Sequence, residues 1–402
     1  MLTPKHITRW LITPALVYLV LVFASGTWLR WQWVDPEWMV FNPGYLTHAH
    51  SHIAVLGWAF AMLSGLLMRY VIHLENVPVR WFRVLMTALH ISVAGMLITF
   101  TWQGYGGWSI GFSTLHMLVG YGVAVFYFKY EREDLPPVLR NFYSAAIWWL
   151  IISTLGPWLL AFGPAMPPFW MDAGIQFYLH TQFNGWLTFG VLGLALHYAH
   201  RRGFPMPHLA HWGFGMLLVG TLPALIPMLD QQQISDSVMW IGIIGSMLYA
   251  GGGLLIAFIL IPVVQKYRRD IWWVLAVVAG LSFIIKQVLL VTAAIPGFVS
   301  GLMDYNFVVV GYLHLLLLGF ISTALLCGWL RYAGIERGIQ LKLGLIGYLL
   351  GAGATLVLLL YFGAAQVFGF AAGLPVQPVL FGAGVVALAG AVLLVTRIKV
   401  DK

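Results

Sequence analysis

Long apolar runs, each broken by a short cluster of Pro, Gly and charged residues, follow one another along this chain from end to end. A helix needs roughly 20 apolar residues to cross hydrocarbon about 30 Å thick. Runs of that length predict spans over 10–28, 45–70, 83–103, 108–129, 141–163, 173–199, 209–229, 236–264, 271–295, 304–331, 341–369 and 376–396. The expected fold is all-α: a polytopic membrane helical bundle of about twelve transmembrane helices, forming a single transmembrane domain over 1–402. The connecting segments are too short for a soluble domain, and no internal repeat or low-complexity stretch stands out. Gly163-Pro164-Ala165-Met166-Pro167-Pro168 and similar clusters read as turns at helix ends.

The charges between the runs alternate by side. One set of loops carries Lys5 and Arg9; Arg80 and Arg83; Lys129, Arg132 and Arg140; Arg201 and Arg202; Lys266, Arg268 and Arg269; Arg331, Arg337 and Lys342; and Arg397, Lys399 and Lys402. The other set carries Asp35, Glu37, Asp172, Asp230, Asp236 and Asp304, with Arg30 its one clear basic residue. Basic loops stay in the cytoplasm, so both termini are expected there, and even-numbered helices run inward. A bacterial inner membrane suits this pattern. The first run follows Lys5 and Arg9 without a small-residue cleavage site and reads as a retained helix.

Composition narrows the class further. The chain is 61% hydrophobic and 8% charged, too few charges to cover a water-facing surface. Its net charge of +8 is spread over short loops rather than gathered in a stripe. The expected partner is therefore the lipid bilayer, with no nucleic acid. The single cysteine, Cys327, lies inside a span, which excludes disulfides and thiolate metal sites. There is no C-x-x-C-H, so any c-type heme belongs to another chain.

Candidate chemistry lies in a layer of histidines. His48, His50 and His52 on the second helix, His116 on the fourth, His180 on the sixth and His314 on the tenth fall about 5–16 Å below the outer helix ends. His90, on the third, is nearer mid-membrane. Imidazole suits iron and copper, and helical bundles build such sites from facing side chains. At i, i+2 and i+4, His48 and His52 share a face and His50 points roughly opposite, so at most two serve one site. A lone intramembrane His also serves as an interhelical hydrogen-bond partner, a reading kept open for His90 and His116. Lys286 and Gln287 sit deep in the ninth span, where a lysine needs a polar cavity or partner. Proton entry, contact with a quinone or heme propionate, and a bond to a carbonyl all remain open for Lys286.

Twelve spans with histidines on the second, sixth and tenth resemble the catalytic subunit of heme-copper oxidases, cbb-type oxidases and nitric oxide reductases above all. His50-Ser51-His52-Ile53-Ala54-Val55-Leu56-Gly57 is similar to the family's H-x-x-A-V-x-x-G, with His50 on the ligand position. Leu179-His180-Thr181-Gln182-Phe183-Asn184-Gly185 is similar to the sixth-helix motif, with His180 on a copper-ligand position. Gly311-Tyr312-Leu313-His314, followed by Gly319, keeps the spacing of G-H-x-H. Tyr312 stands where the high-spin heme's proximal His is expected, and Gly220-Thr221-Leu222-Pro223-Ala224-Leu225 lacks the His pair of the seventh helix. Asn184 replaces the tyrosine of His-x-x-x-Tyr.

The resemblance thus implies one low-spin b-type heme on His50 and His314, with a degenerate binuclear site. His180, with His48, His52, His90 and His116, leaves room for copper or a second heme, and Tyr312 for an axial phenolate. A second resemblance, of His48-Ala49-His50 with Gly57 and Gly65, is to the H-A-H-E opening of NnrS-type heme membrane proteins. The implied function is oxidoreductase chemistry: electron transfer, oxygen or nitric oxide reduction, or nitric oxide stress response. A cytochrome c or quinol donor and other respiratory subunits would be its partners. The alternative from another class is a secondary transporter or metal-handling carrier that uses these histidines and Lys286, with Pro223 and Pro227 interrupting the seventh helix. A cofactor-free structural subunit is a third.

Overall fold

A computed structural model describes residues 1–268, 271–302, 305–333 and 338–396. Arg269, Asp304, Arg337, Arg397, Lys399 and Lys402 lie outside the described residues. All twelve expected spans are helical. They are α1 (Pro4–Val34), α2 (Pro43–Val71), α3 (Val79–Gln103), α4 (Gly107–Tyr130), α5 (Pro137–Leu160), α6 (168–201), α7 (Leu209–Thr221), α8 (Asp236–Gln265), α9 (Ile271–Ala293), α10 (Asn306–Arg331), α11 (Ile339–Phe368) and α12 (Val376–Val395).

Ten of these are long and apolar enough to cross a membrane; α7 is shorter and continues as a 3-10 turn over Pro223–Met228. Mid-helix side chains such as Phe258, Leu350 and Val357 are more than 60% exposed. Water does not stabilise a surface with so many bare apolar side chains, but hydrocarbon does. The chain is an integral membrane protein.

By its packing the chain divides into two compact units, 1–132 with 329–402 and 133–328. The first contains α1 to α4, α11 and α12. Small residues bring its last two helices together. A Cβ on Gly351 would lie 2.2 Å from the Ala387 nitrogen, and one on Gly390 2.3 Å from that of Tyr348. The second unit contains α5 to α10. There Gly220 and Gly252 let α7 and α8 touch backbone to backbone. Close approach through small residues is how membrane helices gain packing energy when lipid is as apolar as their side chains.

Candidate functional site: anchored histidines

Helices α2, α6 and α10 share a local irregularity. Each turns from α to π immediately after a histidine, over Ile53–Ala59 after His52, Thr181–Leu187 after His180 and Leu315–Ser322 after His314. Each also has a glycine five residues and an aromatic six residues past that histidine: Gly57-Trp58, Gly185-Trp186 and Gly319-Phe320. The recurrence is legible as His-x4-Gly-aromatic, an internal repeat that a comparison of histidine depths passes over. A π turn shifts the regular i→i+4 ladder and is frequent at functional sites.

In the first unit the three histidines of α2 separate as their spacing requires. His48 and His52 share a face. The His48 ring lies 4.6 Å from that of Tyr105, and the His52 ring 4.1 Å from that of Phe100. Gly104, at φ +60°, makes the turn that presents Tyr105. The Nδ1–H of His52 donates to the His48 carbonyl at 2.8 Å. His50 points the other way, into α1, where its Nδ1 lies 3.0 Å from the Val22 carbonyl oxygen and 3.1 Å from Ser25 Oγ. The ring passes over Gly26, where a Cβ would sit 2.9 Å from Cε1. A carbonyl oxygen only accepts, so the proton of His50 is on Nδ1 and the ring's lone pair is on Nε2.

In the second unit His314 has the same tautomer for the same reason. Its Nδ1–H donates to the Val310 carbonyl at 2.8 Å. An imidazole fixed through Nδ1–H to a carbonyl is the standard support for ligation through Nε2. His50, His52 and His314 all fit that pattern.

The remaining histidines of the layer do not. His90 uses both nitrogens against α1, Nδ1 with the Tyr18 hydroxyl at 2.6 Å and Nε2 with the Trp10 carbonyl at 3.0 Å. His116, 3% exposed, gives its Nε2–H to the carbonyl of Leu56 at 2.9 Å, inside the π segment of α2. His180, 7% exposed, gives its Nε2–H to the carbonyl of Thr221 at 2.7 Å and takes a hydrogen bond from Asn184 Nδ2 at 3.1 Å. Thr221 ends α7 just before Pro223, so its carbonyl is among those a helix end leaves unpaired.

The expected roles therefore divide. His90 and His116 act as interhelical hydrogen-bond partners. His180 has no lone pair left for copper, and among the described residues no three His, Cys, Asp or Glu side chains gather as a metal would need. The donor set does not fit copper. Beside His180, the Tyr249 hydroxyl donates to the Asn184 carbonyl at 2.7 Å, and Lys286 Nζ lies 3.4 Å from the Tyr249 oxygen. Tyr312 lies on α10, two residues before His314. Ser25, Gly26 and Tyr249 were not singled out in the sequence, and Asn184 and Thr221 entered only as departures from the family's motifs. Their importance comes from other helices, and only the Ser25-Gly26 pair of small residues inside an apolar run hints at it.

No family model matches this sequence, and no curated protein matches it. A solved structure does match in fold: a heme-copper terminal oxidase dimer determined by cryo-EM, with a TM-score of 0.67 at 14% identity, covering 97% of this chain and 81% of that one. The chain has the heme-copper oxidase fold.

Proposed function

We propose that this chain is a divergent oxidase-like electron-transfer protein that carries one low-spin b-type heme, with His50 and His314 as its axial ligands. The supporting observation is the shared tautomer: each ring is held through Nδ1–H by a backbone carbonyl and bears its lone pair on Nε2. When bound, a bis-imidazole heme accepts and donates single electrons and leaves no open iron position for gas. Val22 and Ser25 orient one ring, Gly26 gives it room, and Val310 orients the other. His52 has the same tautomer, but it packs against Phe100 and Tyr105, on the face opposite His50. His180, with both ring nitrogens engaged, argues against oxygen or nitric oxide reduction at a copper-containing centre. A quinol or a cytochrome c would supply the electrons, in a respiratory membrane such as the bacterial inner membrane.

The test is spectroscopic. Full-length protein purified in detergent is expected to hold about one heme per chain and to show a low-spin α-band in the reduced-minus-oxidised difference. His50→Gly and His314→Gly each abolish the band, and exogenous imidazole restores part of it. A folded protein without heme, or a band indifferent to both changes, overturns the reading.

A further inference from the structure

Lys286 belongs to a different problem. Its amine lies deep in α9 and is 0% exposed. Its hydrogen bond is the 3.4 Å contact with the Tyr249 hydroxyl, and the rings of Tyr249 and Phe283 lie 4.5 and 5.7 Å away, presenting their negative faces to a cation. Tyr249 gives its own proton to the Asn184 carbonyl, so its oxygen meets Lys286 as an acceptor. His180 has both nitrogens engaged.

Among the described residues no acid pairs with the amine. The described acidic residues of the second unit are Glu133, Asp134, Asp172, Asp230 and Asp236, in loops or within the first two turns of a helix. Asp236 is about 20 Å from Tyr249 along α8. A buried ion in such surroundings is heavily penalised unless an opposite charge lies beside it.

The adjacent residue points to what that charge is. Gln287 is 0% exposed, and neither of its amide atoms has a hydrogen-bond partner. It packs on Gly253, where a Cβ would lie 2.3 Å from Nε2. Tyr249 and Gly253 are four residues apart on one face of α8, so Lys286 and Gln287 bring an ammonium and an amide N–H to the same strip. One ammonium balances a single negative charge, which suits a monovalent ligand.

We propose that Lys286 and Gln287 form a binding site for a small monovalent inorganic anion, held against α8 between Tyr249 and Gly253. This site is independent of the heme reading. Its test uses the full-length protein in chloride-free gluconate buffer at constant ionic strength, with sodium bromide as probe. The thermal midpoint is expected to rise with each tenfold increase in bromide, and X-ray fluorescence after gel filtration to find about one bromide per chain. Lys286→Met replaces a buried charge by an apolar chain of similar length, a change that buried sites generally tolerate. It is expected to fold, to bind no bromide and to lose the response, while Gln287→Met weakens binding about tenfold. A wild-type protein that holds no bromide and ignores its concentration overturns the proposal. So does a Lys286→Met or Gln287→Met protein that responds as the wild type does.

Discussion

At His50 the chemistry is decided by groups on another helix. The imidazole itself is ordinary. What prepares it is the Val22 carbonyl, which fixes the proton on Nδ1, and Gly26, which leaves space for the ring. Two substitutions separate these effects. Ser25→Ala removes one contact to Nδ1 but keeps the carbonyl, and heme affinity should fall by about tenfold, the low end for loss of a supporting group. Gly26→Val places carbon atoms within contact of Cε1 and pushes the ring off its position. Heme content and the α-band are then expected to collapse while the helical circular dichroism is retained. A Gly26→Val protein with full heme would show that His50 is not a ligand. The sequence was sufficient to say that His50 faces away from His48 and His52, because that follows from 100° per residue. It was not sufficient to choose tautomers, because every deciding acceptor except those of His52 and His314 lies on a distant segment.

At the scale of the element, the π segments that follow histidines in α2, α6 and α10 explain why some histidines serve structure. The segment in α2 contains the Leu56 carbonyl, which accepts from His116 on α4. His116→Phe keeps the ring contact with Phe60, whose centroid is 4.6 Å away, but leaves that carbonyl bare. The expected cost is about 1–3 kcal/mol, read as a lower thermal midpoint with an unchanged heme spectrum. A spectrum that changes with the midpoint would give His116 a part in the cofactor site. His180 performs the same service for Thr221 where α7 stops at Pro223, although the family's sixth-helix motif would make it a copper ligand. A short motif carries over the position of a residue but not the hydrogen bonds that determine its use. Glycine spacing was the readable part: Gly57 packs on α3 at Val93 and Gly185 on α5 at Trp149, and both offsets from histidine are visible in the sequence.

At the scale of the whole molecule, α6 and α7 are the two helices that length and mean hydropathy together do not secure as crossings. Residues 168–201 are not among the ten most apolar spans, because α6 carries buried Thr181, Gln182, Asn184 and Thr188 beside His180. Charge placement recovers it. Without α6 as a crossing, Arg201 and Arg202 would share a side with Asp172, and every later basic loop would fall opposite the earlier ones. The sign alternation therefore makes a prediction that the fold alone does not. In a Cys327→Ala background, single cysteines at Glu37, Asp172 and Asp230 should react with a membrane-impermeant maleimide applied to intact cells. Cysteines at Glu133, Arg201 and Lys342 should react only after permeabilisation. The Asp172 and Arg201 pair is the decisive one, since the two ends of α6 must label from opposite sides. Labelling of both from the same side would remove α6 as a crossing and reverse the expected orientation of every helix after it.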